Sequence, residues 1–350
     1  MKILHIDLGK EWRGGQRQVF TLHNGLLKKG IESHLVCNLN GELFKKSTQH
    51  RNENIHGFLH SKKIIDIKRS DINYFINKVK PDIIHCHDSL SAGLKISKNR
   101  NFKLVHTRRV SYKINFISRF IKYKKFDLHI AVGKNIQQYL LNYFVNVEVI
   151  PSCIDLLRFN QTDTFKFPEG QKNILFVGAL TKQKGLHILL YAFAELIKKY
   201  SKLNLHIVGD GNLRLELKNI VNNLDLNEKV TFYGTRMDVE KFYKSCDYFV
   251  CPSIDGEGSN GTIKEALASG RTVIASNLID NTDLMQDNVS GFFFENKNID
   301  SLVLTLSSIL DGKSFLNKKD ILDQSKKFSC SINIERHVTT YSKLIKGVKY

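Results

Sequence analysis

Short apolar, β-branched runs alternate with longer amphipathic stretches along the whole chain. In the N-terminal half the runs fall at residues 3–6, 34–37, 83–86, 104–106, 128–132 and 147–150. Between them, residues 16–29, 67–80 and 134–144 place apolar side chains three and four apart. The first spacing predicts strands and the second predicts helices. Strands that alternate with helices predict a parallel sheet covered on both faces.

The pattern then restarts. Residues 174–177 read as a strand, and 186–200 as a long helix with apolar residues at 186, 189, 190, 193 and 197. Further strands are expected at 205–208, 230–232, 248–251 and 273–275. The two blocks join near 151–172, where Pro151, Pro168 and Gly170 interrupt the periodicity. The expectation is an α/β protein of two Rossmann-like, doubly wound domains facing across a cleft. The first spans 1–168 and the second 169–331, and a last helix, at about 332–350, packs back on the first. Open parallel sheets bind ligands at the carboxyl ends of their strands, so the site is expected in the loops that follow strands.

A chain of 350 residues suits two such domains. Its 42% hydrophobic and 25% charged content is an ordinary globular mix. The six cysteines show no CxxC pair and no zinc spacing, which suits a reducing compartment. The apolar opening is too short for a secretory signal. No apolar run reaches the roughly 18 residues that a spanning helix needs. These features predict a cytoplasmic protein, soluble or peripheral on the inner face of the cytoplasmic membrane.

Charge changes the picture more than composition does. The net charge is +19; residues 1–168 hold 29 Lys and Arg against 13 Asp and Glu, and the remainder holds 24 against 21. The basic half implies acidic partners: anionic lipid headgroups, phosphorylated glycolipids or nucleic acid. A general lysine bias accounts for the same excess without a partner.

Five segments carry candidate chemistry. Glu257-Gly-Ser-Asn-Gly-Thr-Ile-Lys-Glu265 follows a strand and opens a helix near Asn260. Gly258 and Gly261 allow close backbone approach, the helix start favours an anion, and two carboxylates suit a hydroxyl-rich ligand. A helix start with incidental acids has the same spacing. Val177 to Gly185 (VGALTKQKG) places a glycine turn and lysines before the long helix, as a diphosphate cradle or a solvated loop would. It is neither a Walker loop nor GxGxxG. Trp12-Arg13-Gly14-Gly15-Gln16-Arg17 follows the first strand. His85-Cys86-His87-Asp88 ends another, and alternation puts both histidines on one side, as a base, a hydroxyl partner or satisfied structural groups. A zinc pair there lacks a third ligand at sensible spacing. Arg108-Arg109 and residues 112–126 (YKINFISRFIKYKKF) are basic and aromatic at roughly helical spacing. They suit a membrane surface or an ordinary covering helix.

Together these segments resemble the family-4 glycosyltransferases of the GT-B fold over essentially the whole chain. The EGxG…E signature of that family is similar to Glu257–Glu265, and its VGRL…KG element to Val177–Gly185. Ile207–Arg214 (IVGDGNLR), Pro81–His87 (PDIIHCH) and Ile150–Phe159 (IPSCIDLLRF) match further elements in order.

The resemblance implies a retaining, metal-independent hexosyltransferase that takes a nucleotide-diphosphate-sugar as substrate and needs no cofactor. By it, Glu257 contacts donor-sugar hydroxyls, Glu265 the ribose, and Lys184 the leaving diphosphate. Gly178, Ala179, Gly258, Ser259, Asn260, Gly261 and Thr262 line the donor, and Gly234 and Thr235 hold the base. Gly14 and Gly15 lie by donor phosphate and acceptor. Gln16, His87, Arg108 and Arg109 meet the acceptor, His87 bonding the reacting sugar.

The chain departs from the family pattern where Ala179 replaces the usual diphosphate Arg. Lys184 and helix N-termini then carry that charge, or Arg13 or Arg236 assists. Ser152-Cys153 and Ser259-Asn260 also depart from it. The implied acceptor is a glycan or lipid-linked sugar, as in lipopolysaccharide or other surface-glycan biosynthesis. A GT-B sugar-nucleotide epimerase or phosphorylase is the enzymatic alternative. A nucleic-acid-binding protein is the remote one, against which stands the lack of any helix-turn-helix, zinc knuckle or aromatic RNA motif.

Overall fold

The computed structural model describes residues 1–48, 53–59, 71–97, 100–160, 163–256 and 258–348. By contact, the chain divides into Met1–Cys153 with Cys330–Tyr350, and Ile154–Ser329.

The first unit is built on seven parallel strands: β1 (Lys2–Asp7), β2 (Glu32–Asn38), β3 (Ile55–Phe58), β4 (Ile83–Cys86), β5 (Lys103–Arg108), β6 (Leu128–Ala131) and β7 (Val147–Val149). Their order is β3-β2-β1-β4-β5-β6-β7. Each interior strand is buried on both faces, which is why β1 and β4 read as unbroken apolar runs rather than alternations. Two apolar clusters cover the sheet. One gathers Leu4, Ile6, Ile84, Leu104 and Ile136. The other joins Ile3, Leu22, Leu26 and Ile83 to Ile334, Tyr341 and Leu344 of the terminal helix Cys330–Ile345.

The second unit holds six parallel strands: β8 (Lys172–Val177), β9 (Leu203–Val208), β10 (Val230–Gly234), β11 (Tyr248–Cys251), β12 (Thr272–Ser276) and β13 (Phe292–Phe294). Their order, β10-β9-β8-β11-β12-β13, repeats the winding of the first unit. Its larger core packs Leu189, Leu190 and Phe193 of helix Leu186–Lys199 on Ile174, Phe176, Leu205 and Ile207.

In both sheets the chain winds outward on one side of the first strand, then crosses to the other side. The points of reversal lie between β1 and β4 and between β8 and β11. Such a point, at the carboxyl edge of the strands, is where open α/β sheets bind ligands.

Three sequence expectations change. Residues 154–168, grouped with the first domain, pack in the second unit. The Ile154 amide donates to the Phe328 carbonyl at 2.9 Å, and Phe165 stacks on Phe242 with centroids 4.2 Å apart. Two edge strands, β3 (IHGF) and β13 (FFF), were not expected, the first being interrupted by His56 and Gly57 and the second having no β-branched residue. Residues 112–126 form no continuous helix: Phe116–Ser118 is α-helical and Arg119–Tyr123 widens into a π-turn. Of the helix expected at 67–80, the described part is Ile72–Val79, and residues 67–70 lie outside the described ones.

Candidate functional site

The carboxyl edge of the first sheet is organised by Asp7, the last residue of β1. Its side chain is buried, and Oδ1 accepts from the Gly9 amide at 3.0 Å and from Gln16 Nε2 at 3.0 Å. The Gln16 Oε1 in turn accepts from the Arg13 amide at 3.2 Å. One carboxylate oxygen thus fixes both the loop after β1 and the start of helix Gly14–Lys28. Burial and the neighbouring Asp88 raise the Asp7 carboxyl, which favours its protonated form. Gly14 faces open space at the helix start. A Cβ on Gly15 would lie 3.7 Å from Arg109 Cδ, an ordinary contact.

His87 follows β4 across the point of reversal. Its amide donates to the Ile6 carbonyl at 3.0 Å, and its Nε2 lies 2.9 Å from His5 Nδ1. Arg109 donates from Nη1 to the His87 carbonyl at 3.0 Å and sets Nη2 3.3 Å from His87 Nδ1. Burial, then the charges of His85 and Arg109, push the imidazole well below its ordinary range, so it is neutral at pH 7.

Gly15, Gln16, His87 and Arg109 therefore meet at one edge. Arg108 does not join them. Its guanidinium turns into the β5–β6 connection, donates to the Tyr112 carbonyl and lies 5.6 Å from the Tyr139 ring. Adjacent strand-end residues point to opposite faces, so only one of the pair can reach His87.

Among the described residues, one histidine group brings ligand atoms within 4.8 Å of one another: His5, His85 and His87. Five of its six ring nitrogens are already engaged, His5 Nε2 being the exception. His85 bonds Tyr341 Oη and Thr107 Oγ1, both at 2.6 Å, while His5 and His87 bond each other. A cation would have to displace those bonds, so the donor set fits a hydrogen-bonded network better than a metal centre.

The second sheet's edge is shaped by glycines. After β8, the Gly178 amide donates to the Val208 carbonyl at 3.0 Å. A Cβ on Gly209, where φ is 135°, would sit 1.9 Å from the Gly178 oxygen, so only glycine fits. Gly185 ends the Lys182–Lys184 turn at φ 64°, and a Cβ there would meet the Pro252 oxygen at 2.0 Å. The loops after β8 and β11 are thus pressed together, and the Ile254 amide bonds the Gln183 carbonyl at 2.8 Å. Over this junction lies the half-buried Lys184, its Cδ 3.7 Å from where a Gly178 Cβ would be. Ala179 is exposed beside it.

Glu257 lies outside the described residues. Gly258 and Ser259 are half-buried, and helix Gly261–Ala268 opens with Gly261 facing free space. Asn260 faces inward: its Nδ2 donates to Cys251 Sγ at 3.0 Å, and its Oδ1 accepts from Thr262 Oγ1 at 2.8 Å. It braces the loop with the same atoms that a ligand would use. Glu265, one turn in, accepts at Oε2 from the buried Tyr243 hydroxyl at 3.0 Å. Gly234 turns with φ 68° and accepts from the Gly209 amide at 2.8 Å, and Thr235 beyond it is exposed. Arg13 and Arg236 each pair with a carboxylate, Arg13 with Glu11 and Arg236 with Asp238 at 2.8 Å.

Four supporting residues were not singled out from sequence: Asp7, His5, Tyr243 and Lys264. Lys264 is almost wholly buried, donates to Ser259 Oγ and lies 5.3 Å from the Phe328 ring. An ammonium in the apolar helix segment TIKEALA was the signal available. The others look like ordinary strand and helix residues until the sheets are wound.

Residues 12–158 match the family model described as Glycosyltransferase Family 4, and residues 158–327 the model Glycosyl transferases group 1. Among curated relatives, the UDP-Gal:alpha-D-GlcNAc-diphosphoundecaprenol alpha-1,3-galactosyltransferase of Escherichia coli is 28% identical over 357 residues, covering 89% of each chain. The alpha-monoglucosyldiacylglycerol synthase of Streptococcus pneumoniae is 27% identical over 246 residues, covering 61% of this chain and 56% of the synthase, so the match spans little more than half of that relative. Among solved structures, a glycosyltransferase from Rickettsia africae superposes with TM-score 0.81 at 19% identity, covering 98% of both chains, a likeness of fold. The two wound sheets are those of the GT-B glycosyltransferases.

Proposed function

The chain belongs to glycosyltransferase family 4, and from that premise we propose that it transfers a hexose-type sugar, with retention and without a metal ion, from a nucleotide-diphosphate-sugar to a lipid-linked or glycolipid acceptor. The donor is held at the carboxyl edge of the second unit. Lys184 neutralises the diphosphate with the amide ends of the 178–185 turn, and Glu265 takes the ribose hydroxyls. Glu257 contacts the sugar hydroxyls. The first unit's edge, with Gly14, Gly15, Gln16, His87 and Arg109, takes the acceptor.

In the proposed step the bond from the anomeric carbon to the diphosphate oxygen breaks. The acceptor oxygen bonds that carbon on the same face, and its proton passes to the departing diphosphate. Lys184 stabilises the negative charge that develops there, an effect typically worth ~10²–10³ in rate for one preorganised donor. Ala179 offers no charge, and Lys184, half-buried over the junction beside Gly178, is the cation this reading assigns to that task.

The observation that carries this reading is the glycine-closed junction of the β8 and β11 loops with Lys184 over it. Glycine at 185 lets the loop after β8 close on the loop after β11 at the sheet's point of reversal, and glycine at 209 lets the loop after β9 close on Gly178 beside it, where open α/β sheets bind ligands. The acceptor class is supported by two relatives named for a diphosphoundecaprenol-linked sugar and for a glucosyldiacylglycerol, and with such an acceptor the protein would work at a membrane face in surface-glycan biosynthesis. The galactosyltransferase relative makes uridine the first base to test.

The test is a thermal-shift screen of UDP, GDP and ADP, followed by transfer from the matching labelled sugar nucleotide to undecaprenyl-diphosphate-sugar or diacylglycerol acceptors. Stabilisation by one nucleotide and label in the lipid phase with α-configuration are expected. Release of free sugar or an isomerised donor without acceptor would favour the epimerase reading.

A further inference from the structure

A connection that covers a parallel sheet normally turns polar residues outward. The β5–β6 connection does the opposite. Phe116 and Ile117 are each 68% exposed, Phe120 is 53% exposed and Ile121 76%, with Tyr112 before them at 73%. Positions 116, 117, 120 and 121 recur once per turn and so form one face. The face is outward because Ile114, Tyr123 and Phe126 already fill the sheet side. Helix Gly14–Lys28, which covers the same unit, exposes no large apolar side chain in this way. A contiguous exposed apolar patch is uncommon on a surface that meets only water.

Beside this face lies a concavity of about 940 Å³. Arg100, Lys103, Lys124 and Lys125 line it with a single carboxylate, Asp127, and Phe120 and Ile121 stand at its lip. Asp127 is already committed: Oδ2 accepts from Arg100 at 2.9 Å and from the Leu104 amide. The hollow therefore carries an excess of three positive charges. A soluble phosphate ester would be satisfied by the cations alone and gives no reason for an isoleucine and three further apolar side chains in water at the rim. An anionic lipid accounts for both, its headgroup against the lysines and its acyl region against the apolar face.

We propose that this surface docks the protein on an anionic bilayer, with a phospholipid headgroup in the Arg100–Lys125 hollow and Phe116, Ile117, Phe120 and Ile121 inserted among the acyl chains. The proposal rests on the membrane-borne acceptor argued above and gives that contact its residues. The dock belongs to the same unit as the acceptor edge: Lys122, on the inserted turn, donates to Ser89 Oγ at 3.0 Å, two residues beyond His87. Insertion of this turn would thus be felt at the start of the Ser89–Ala92 helix.

The experiment is flotation of the full chain with vesicles of phosphatidylglycerol and phosphatidylcholine, against phosphatidylcholine alone. Wild type should float with the anionic vesicles and remain at the bottom with the neutral ones. The Phe120→Ser, Ile121→Ser pair should abolish flotation. The Lys103→Glu, Lys124→Glu pair should lower the partition coefficient by roughly tenfold or more, since each cation near a charged surface contributes about 1 kcal/mol. All of these side chains are outside the donor edge, so UDP titration of each variant should match wild type and serves as the control for folding.

Equal flotation with neutral vesicles, or wild-type flotation in both double variants, would overturn the proposal. So would release from vesicles by glycerol phosphate with no loss in the Phe120, Ile121 variant, which would identify a free phosphate ligand. A protein that binds UDP but no vesicle loses this inference alone. One that floats but binds no nucleoside diphosphate loses the transferase reading alone.

Discussion

Arg109 holds His87 from two sides, donating to its backbone carbonyl at 3.0 Å and standing 3.3 Å from its ring Nδ1. A guanidinium has only donors, so the bonding pattern assigns His87 Nδ1 as acceptor and Nε2 as the protonated nitrogen. Nε2–H then donates to His5 Nδ1 at 2.9 Å, which leaves the proton of His5 on Nε2, a buried atom with no partner among the described residues. The tautomer of His87 is thus set by Arg109 and the ring is aimed by both neighbours.

Arg109→Lys keeps the charge but loses the paired geometry. Removing one hydrogen bond to a charged donor typically costs ~1.5–3 kcal/mol. The acceptor KM should therefore rise on the order of 10–100-fold, while donor binding measured by UDP titration stays unchanged. An unaltered acceptor KM would show that the Arg109–His87 pair is structural only.

The first unit buries an unusual run of imidazoles, and this predicts its acid sensitivity. Burial holds His5, His85, His87 and His106 well below the ordinary value of 6.5, and brings His23, His129 and His337 to about 4. A folded-state value below the unfolded one means that the unfolded chain takes up protons first as pH falls. Stability is therefore complete above about pH 6.5 and is lost progressively toward pH 4. Each histidine lowered to about 4 costs roughly 3 kcal/mol by the acid end of that window. In the second unit His206 falls to about 4 and His187 is lowered. Calorimetry between pH 7 and pH 4 should show the first unit melting earlier as pH falls. A melting temperature independent of pH across that interval would contradict the burial of these rings.

Gly209→Ala tests the close approach beneath the donor edge. With φ at 135° and the Gly178 oxygen 1.9 Å from the new Cβ, backbone must move. A loss of roughly 2–4 kcal/mol is expected from strain and clash together. UDP binding should weaken at the same time, because Gly178 is displaced with it. A variant as stable as wild type would mean that the two loops are not in contact.

Tyr243→Phe removes the hydroxyl that donates to Glu265 and little else. The stability change should be about 1 kcal/mol. If Glu265 meets the ribose, its carboxylate loses the Tyr243 anchor and the donor KM should rise several-fold with a smaller change in kcat. Equal changes for a nucleotide and for its ribose-free diphosphate analogue would remove that role from Glu265.

The winding of both sheets was legible because their interior strands are buried on both faces and so read as plain apolar runs between amphipathic helices. Edge strands β3 and β13 were not: IHGF is interrupted by His56 and Gly57, and FFF has no β-branched residue to mark it. The boundary was misplaced because Pro168 and Gly170 mark a turn, whereas the packing of Phe165 and Phe167 on Phe242 and His206 decides where residues 154–168 belong. The loops proposed to bear the site stood out by their glycines, which are local signals. Which side chain of a pair faces the edge was not, since that depends on strand registration: Arg109 turns to His87 and Arg108 to Tyr139. Asn260 looked available for a ligand, yet tertiary contacts to Cys251 and Thr262 use its amide.

The most direct measurement is single-turnover transfer from a labelled UDP-sugar to a lipid acceptor by wild type and by Lys184→Ala, with the fold of each checked by thermal melting. A drop on the order of 10²–10³ in the rate of the chemical step, at unchanged melting temperature, is expected if Lys184 stabilises the departing diphosphate. Transfer by Lys184→Ala at the wild-type rate would contradict the assignment of the diphosphate to the junction of the β8 and β11 loops.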